Sequence, residues 1–294
     1  NSLSFAQTAG QSVTFTATNG NISVTDSSDT IETSGGSIIM TAGGTLSIGA
    51  VDTNGGDITL TGAEFTLSGA LDAGVGTVTI LGASGETIGL DGTTASTTAS
   101  TISTICNGSA CGLTLIQSEL SNITAAKLVI GDDSAGNMYV DGVTLSHISG
   151  GTTLNSSGSS GSVEFGTGDT TIKKVTINAG NGITVNGDLA TTSTSIFNAD
   201  YDDSGTGTFT MAAGKALTSG DNASISIVAD DIAVSGTISS GNGSTTIAVS
   251  DGGTIGLGGT AGNMTLTGAE LANITAGTLN IGDSSTGNIT VDGI

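Results

Sequence analysis

The stretch "GGDITLTGAEFTLSGALDAGVGTVTILG" (Gly55 to Gly82) contains two similar words, Ile58 to Thr61 and Val78 to Leu81, which lie 20 positions apart. In each word apolar side chains alternate with Thr, the pattern of a β-strand with one buried face. Segments rich in Gly, Asn and Asp separate the words and supply the positive-φ positions of tight turns. A third word, Ile38 to Thr41, precedes them by the same 20 positions. The stretch therefore predicts a strand-and-turn unit that repeats along the chain.

The chain also repeats on a larger scale, because it contains two copies of one long unit. Gly112 to Val143 aligns without a gap on Asn263 to Ile294, with 18 identities in 32 positions. Further upstream, Asp57 to Leu90 aligns without a gap on Ser224 to Leu257. A period this long, with strand words inside it, indicates a repeat architecture in which each unit stacks on its neighbour.

Composition favours a solenoid over an antiparallel sandwich. A sandwich core needs aromatic residues, but the 294 residues include no Trp, two Tyr and six Phe. Pro is absent too, which suits interior strands that donate N–H groups to their neighbours. We therefore predict a single right-handed parallel β-helix (β-solenoid), an all-β rod of roughly 14 coils and roughly 70 Å in length. The two copies span about residues 13–143 and 175–294, with 144–174 as intervening coils, and we expect the chain to be a segment of a longer polypeptide.

The charge of the chain restricts its partners. Only four residues are Lys or Arg, against 26 Asp and Glu, so the formal net charge is −22. A phosphate backbone or an anionic membrane surface would be repelled at long range. No apolar run approaches the roughly 20 residues of a transmembrane helix. We expect neither nucleic acid binding nor membrane insertion.

Several words carry a resemblance to a known family. They are "GNIT" at Gly287 to Thr290, "GNIS" at Gly20 to Ser23 and "GGDITL" at Gly55 to Leu60. With the long duplicated units, they resemble the repetitive shaft of filamentous-haemagglutinin-type exoproteins, the large adhesins of Gram-negative two-partner secretion. The resemblance covers nearly the whole chain and implies a secreted, fibrous adhesin. The Asn-Pro-Asn motifs of that family's secretion domain have no counterpart here, because the chain contains no Pro.

β-Helices also carry enzymes, chiefly polysaccharide lyases and hydrolases, so we searched for catalytic groups. Lyases of that kind need Arg or Lys beside a substrate carboxylate, and hydrolases need carboxylates that converge on one cleft. The acidic pairs of this chain lie in turn-rich segments, and the single histidine, His147, has no nucleophile or second ligand near it in the sequence. The basic residues are scattered or simply adjacent: Lys127, Lys173, Lys174 and Lys215. We predict that the protein is not an enzyme and has no catalytic residues and no organic cofactor.

The segment "NADYDDSG" contains a calcium candidate. Asn198, Asp200 and Asp202 have the i, i+2, i+4 spacing that opens a calcium-binding loop. The EF-hand pattern then fails, because Asp203 stands where Gly is required and Phe209 stands where the closing Glu is required. The alternative interpretation is a solvated acidic corner.

Two cysteines, Cys106 and Cys111, are separated by an Asn-Gly turn that suits a local disulfide. A disulfide implies an oxidising compartment outside the cytoplasm, and two free buried thiols are the alternative. Both lie in Asp91 to Cys111, which replaces the five residues Gly258 to Gly262 of the second copy. Because rungs must be alike to stack, we interpret the longer version as a display loop that leaves the rod.

Thr-x-Thr steps such as Thr14 and Thr16 indicate a rival binding surface, since regular rows of hydroxyls on a flat solenoid face are typical of ice-binding proteins. Equivalent outward positions are expected to hold Thr, Ser, Asn and Asp in mixed order, which favours ordinary exposed-strand threonines.

Together these features predict the structural shaft of a secreted or cell-surface fibrous adhesin that displays loops for attachment. Its expected partners are other cells, extracellular matrix or glycans, or further copies assembled into fibres. The alternative function is a structural subunit of an extracellular filament, sheath or surface layer. In both cases we expect an extracellular or cell-surface location.

Overall fold

The computed structural model describes residues 2–24, 29–92, 106, 111–220 and 222–294. In this part of the chain the strands form long sheets in which neighbouring strands run parallel, and almost all remaining residues lie in turns. The prediction of an all-β parallel solenoid is confirmed.

Strands of two to six residues follow one another along the chain. The first are β1 (Ser2–Ser4), β2 (Ser12–Ala17), β3 (Ile22–Ser23), β4 (Thr30–Glu32), β5 (Ser37–Ala42), β6 (Thr45–Ile48), β7 (Ala50–Asp52), β8 (Ile58–Thr61), β9 (Glu64–Leu67), β10 (Leu71–Asp72), β11 (Thr77–Leu81) and β12 (Ile88–Asp91). The next are β13 (Leu113–Ile116), the helical turn α1 (Gln117–Leu120), β14 (Ile123–Thr124), β15 (Lys127–Ile130), β16 (Met138–Asp141), β17 (Thr144–Leu145), β18 (Thr152–Ser156), β19 (Val163–Phe165), β20 (Thr170–Ile172), β21 (Val175–Ala179), β22 (Ile183–Val185), β23 (Leu189–Thr191) and β24 (Ser195–Asn198). The last are β25 (Thr208–Met211), β26 (Ala216–Thr218), β27 (Ile225–Ala229), β28 (Asp231–Val234), β29 (Thr237–Ser239), β30 (Ser244–Val249), a 3-10 turn (Ser250–Gly252), β31 (Ile255–Gly258), β32 (Met264–Leu266), α2 (Gly268–Ala272), β33 (Ile274–Thr275), β34 (Thr278–Ile281) and β35 (Ile289–Asp292).

Each coil passes over three sides of the rod. The long face is one sheet of eleven strands, β2-β5-β8-β11-β15-β18-β21-β24-β27-β30-β34. The second side holds three shorter sheets, β3-β6-β9, β13-β12-β16-β19-β22-β25-β28 and β32-β31-β35. The third side holds β1-β4-β7-β10-β14 and β17-β20-β23-β26-β29-β33.

The core consists of apolar columns that run through the rod. Strict alternation places every second side chain of a strand inside, and parallel pairing sets it on its equivalent in the next coil. One column of the long face reads Phe15, Met40, Leu60, Ile80, Ile130, Leu154, Ile177, Phe197, Ile227, Ile247 and Ile281. All except the first and last of these are buried. Each fully buried side chain of this kind stabilises the fold by about 1.5–3 kcal/mol.

Buried hydroxyls close several corners of the rod. The Thr33 Oγ1 donates to the Gly36 carbonyl at 2.5 Å, and the Thr53 Oγ1 donates to the Gly56 carbonyl at 2.5 Å. Each hydroxyl also lies near a carbonyl oxygen of the next coil: Thr33 Oγ1 is 3.2 Å from that of Thr53, and Thr53 Oγ1 is 3.3 Å from that of Asp72. These corners explain why Thr is found inside a core that is otherwise apolar.

The two copies of the long unit form equivalent coils. The ungapped alignment of Asp57 to Leu90 on Ser224 to Leu257 predicts matching core residues, and the structure confirms four buried pairs: Ile58 with Ile225, Leu60 with Ile227, Leu67 with Val234, and Ile80 with Ile247. The prediction of roughly 14 coils was too high, because the long face has eleven strands. At about 4.8 Å per rung these strands extend over roughly 50 Å. The estimate of about 14 coils assumed roughly 20 residues in every coil. Several coils are longer than that, because they contain long turns or an extra strand on the second side.

Candidate functional site

The segment that ends each copy, Gly112 to Val143 and Asn263 to Ile294, is called the repeated phrase below. It begins with a fold-back, in which the chain adds a second strand to a side it has already crossed. In the first copy, β13 pairs in parallel with β12 and lies on the side of it that faces away from β16. In the second copy, β32 pairs with β31 in the same way, opposite β35. The phrase is thus repeated because it encodes this connection twice.

A glutamate joins each added strand to the coil below it. The Glu119 carboxylate accepts the Leu67 N–H at 3.0 Å and the Ile116 N–H at 3.0 Å. Glu270 repeats the arrangement in the second copy, where its carboxylate accepts the Val234 N–H at 3.1 Å. These carboxylates take the place of the backbone carbonyls that a regular ladder would supply.

The same glutamates organise the short helices. Glu270 accepts the Thr267 N–H at 2.9 Å, while the Thr267 hydroxyl accepts the Glu270 N–H at 3.2 Å. These two hydrogen bonds form a capping box at the start of α2. At α1 the N-cap is Ile116, which lacks a hydroxyl, so only the glutamate half of the box forms.

An asparagine completes the junction in both copies. The Asn122 Nδ2 donates to the Leu67 carbonyl at 3.2 Å, and the Asn273 Nδ2 donates to the Val234 carbonyl at 2.9 Å. The glutamate and the asparagine of the repeated phrase therefore satisfy both the N–H and the C=O of one residue in the lower coil, which is Leu67 in the first copy and Val234 in the second.

Two further carboxylates support the added strands from below. Glu64 accepts the Phe65 N–H at 2.9 Å and the Thr114 N–H at 3.3 Å, and Asp231 accepts the Thr265 N–H at 3.0 Å. Burial raises the pKa of Glu64 and of Glu119, and the hydrogen bonds from backbone N–H groups offset part of that rise. These carboxylates therefore have a structural role, which neither the strand words nor the search for catalytic groups assigned to them.

In both copies, described residues of the connection between the paired strands lie against the first of these strands. A Cβ atom at Gly89 would lie 2.5 Å from the Cys111 Sγ, and one at Gly256 would lie 2.7 Å from the carbonyl carbon of Ala261. Both glycines occupy the middle of the word "TIGL". Glycine is required at these two positions because the chain passes directly over the strand.

The crossovers differ in length and chemistry. In the first copy Cys106 and Cys111 form a disulfide with a Cα–Cα distance of 5.5 Å, and Cys106 is buried. The second copy makes the same connection through Gly258 to Gly262 without cysteines. Residues 93–105 and 107–110 lie outside the described residues, so the interpretation of Asp91 to Cys111 as a display loop stays a prediction.

The calcium candidate lies at a corner beside the long face. Asp200 is fully buried, and its carboxylate accepts hydrogen bonds from the Ser204 N–H at 3.1 Å, the Gly205 N–H at 3.0 Å and the Ser250 hydroxyl at 2.6 Å. The Asn198 Oδ1 accepts the Asp200 N–H at 3.2 Å. These donors fix Asp200 as the centre of the turn, while Asp202 is exposed.

More carboxylates surround this corner without a basic partner. Burial raises the pKa of Asp230, with contributions from Asp200, Asp231 and Asp251. The pKa of Asp251 is raised too, chiefly by desolvation and then by repulsion from Asp203, Asp200 and Asp202. Across the described ranges, no group of three or more His, Cys, Asp or Glu side chains is arranged to hold a metal ion. The geometry favours the acidic-corner interpretation.

The residues considered for catalysis are dispersed. Lys127 is exposed on the long face, and His147 is exposed in the turn after β17. Lys173 and Lys174 lie in the corner between β20 and β21, and Lys215 precedes β26. The structure does not bring these side chains together.

No helix in the described part of the chain is long and apolar enough to cross a membrane. Comparison with protein-family models, with characterised proteins and with solved structures gives no significant match for this chain.

Proposed function

We propose that the chain is the structural shaft of a secreted or cell-surface fibrous adhesin. The observation that supports this most directly is the pair of equivalent crossovers, which connect equivalent strands of the scaffold and differ in length. A stacked core tolerates little variation, whereas a loop that leaves it can change freely. A shaft with variable loops is the arrangement that attachment requires, and the proposal includes no catalytic role.

An extracellular location agrees with two features. The Cys106–Cys111 disulfide persists in oxidising compartments. A formal charge of −22 keeps rods soluble and repels phosphate backbones. We therefore propose glycans, matrix proteins or other cells as partners, in line with the resemblance to filamentous-haemagglutinin-type shafts.

The test replaces Asp91 to Cys111 with the shorter crossover of the second copy, Gly258 to Gly262. Beads coated with either protein are washed over immobilised glycans, matrix proteins and cell layers, and their retention is measured. We expect the trimmed protein to melt like the original and to lose retention. Early unfolding of the trimmed protein would show that the segment belongs to the core. Equal retention of both proteins would place attachment elsewhere.

A structural subunit of an extracellular filament, sheath or surface layer is the second candidate. The long face forms one parallel sheet of eleven strands, and a regular stack of this kind suits a purely structural role. Electron microscopy of the purified chain tests this candidate: end-to-end filaments that lengthen with concentration would favour it over a shaft.

A further inference from the structure

The strands of the long face carry no acidic residue, although the protein as a whole is strongly acidic, and the exposed Asp57 stands directly before β8 at one edge of the face. Its eleven strands contain no Asp or Glu, and Lys127 is the one charged residue within them. Acidic residues lie instead in turns and on the other sides. Glu32, Asp52 and Asp72, for example, stack in register on the third side. The long face is thus the larger of two sheets whose strands carry no carboxylate, the other being the six-stranded sheet β17-β20-β23-β26-β29-β33 of the third side.

Outward side chains of the long face form a central column of small and β-branched residues. In register the column reads Thr14, Ile39, Thr59, Thr79, Val129, Thr153, Thr176, Ile196, Ser226, Thr246 and Asn280. The expectation that Asp would be among these residues is wrong. The column thus consists mostly of hydroxyl side chains, with Ile39, Val129 and Ile196 among them, and it carries no charge.

A neighbouring column has the same character. It contains Thr16, Thr41 and Thr61 near the start of the rod and the stacked amides of Asn155 and Asn178 further along. The Asn178 Nδ2 donates to the Asn155 Oδ1 at 2.8 Å. Because stacked amides satisfy part of their hydrogen bonding within the face, covering them costs less than covering isolated amides.

We propose that this face binds a second copy of the same chain, so that two rods pack side by side through their long faces. In-register sheets with small uncharged side chains can interdigitate as dry interfaces. Two-fold symmetry brings the same surface from both copies into contact. Packing through the five-stranded sheet of the third side would bring the stacked carboxylates of Glu32, Asp52 and Asp72 together, and the second side carries Asp141 and Glu164. The uncharged six-stranded sheet of the third side has strands of only two or three residues, so it offers less area than the long face.

The available area is sufficient for this contact. Eleven rungs extend over roughly 50 Å, and four residues of extended strand over roughly 14 Å, so each copy offers on the order of 700 Å². The total of about 1,400 Å² lies within the standard range for specific interfaces. The remaining acidic surface of each rod opposes association, so added salt should strengthen the contact by screening that repulsion.

Sedimentation equilibrium of the full chain at low and high NaCl tests the proposal. We expect the mass to approach that of a dimer as concentration rises, with a lower Kd in high salt. The variant Thr153→Glu/Thr176→Glu places two carboxylates at the centre of the long face. It should raise the Kd by roughly tenfold or more, because like charges would meet across the interface.

The matched control is Thr171→Glu/Ala190→Glu, which adds the same stacked pair on the third side. It should leave the Kd within roughly twofold of the original, since the net charge changes equally but the long face is intact. Thermal melting confirms that both variants fold alike.

Three results would overturn the proposal: a monomer at all concentrations and salt levels, equal weakening by both variants, or a monomer that adsorbs to ice or to a crystalline glycan through the long face. The last result would assign the face to a different partner.

Discussion

Replacing Glu119 with alanine should weaken the fold-back of the first copy specifically. The carboxylate accepts N–H groups from Leu67 and Ile116, two buried residues in different coils. Alanine leaves both donors without an acceptor, and each buried unsatisfied donor costs about 1–3 kcal/mol. Two such donors would cost about 2–6 kcal/mol. Alanine also removes the cost of burying the carboxylate, which is the burial that raises the pKa of Glu119, so the expected loss in unfolding free energy is about 2–4 kcal/mol.

Two substitutions calibrate this effect. Glu119→Gln keeps one carbonyl acceptor without the charge, so it should lie between alanine and the original. Glu164→Ala removes an outward carboxylate on β19 that accepts the Asn186 Nδ2 at 2.8 Å. Because that contact joins two side chains on the surface, its loss should stay within about 0.5 kcal/mol.

Urea unfolding gives the free energies, and amide hydrogen exchange locates the change. The Leu67 and Ile116 amides should exchange at least roughly tenfold faster in Glu119→Ala, because opening of the junction becomes easier. Glu270→Ala should repeat the pattern at Val234. If Glu119→Ala behaves like Glu164→Ala in both measurements, the carboxylate does not hold the junction and the reasoning fails.

Three further predictions concern packing and charge. Gly256→Ala should cost about 1–3 kcal/mol in urea unfolding because the crossover covers that strand, whereas Gly20→Ala, with open space around its Cβ, should not. The free energy of unfolding should fall as the pH rises towards 7 from the ordinary carboxyl pKa values of 3.8 and 4.5. Four carboxyls have pKa values raised in the folded protein, so the folded state binds more protons than the unfolded state in this range. Greater stability at pH 7 than at pH 5 would contradict this prediction. Asp283 acts in the opposite sense, since hydrogen bonds from Ser285 lower its pKa, but its contribution is lost only below 3.8. Asp251→Asn should raise the melting temperature at pH 7, because Asn tolerates the positive φ of 57° and carries no charge, whereas Asp251→Ala should not.

The periodic part of the fold was predictable because its signals are local. Alternation identifies the inward residues of each strand, and the spacing of words such as Ile58 to Thr61 sets the coil. The fold-backs were not predictable in the same way. Their strands pair with a partner in the same coil, and strand patterns do not specify pairing. The identities at Glu119 and Glu270, and at Asn122 and Asn273, were the available signal, since polar residues shared by both copies indicate a common contact.

The acidic corner shows a second limit of sequence reasoning. The spacing of Asn198, Asp200 and Asp202 suits a metal loop, yet it cannot show that the Ser250 hydroxyl, 50 positions away, binds the Asp200 carboxylate. Local spacing shows which oxygen ligands a loop could offer to a metal ion. Burial and hydrogen bonds from distant residues decide whether those oxygens are still available.

The fold-backs also have a geometric consequence for the rod. Each adds one strand to the second side while the long face and the third side gain none. An extra spacing of about 4.8 Å on one side of a body whose faces stand about 10 Å or more apart turns its axis by an angle on the order of 20°. The second side thus becomes the convex side of an arc, and the number of fold-backs per unit length sets its curvature. We expect a chain built of more such units to curve rather than extend straight, because each further repeated phrase would add another bend in the same direction.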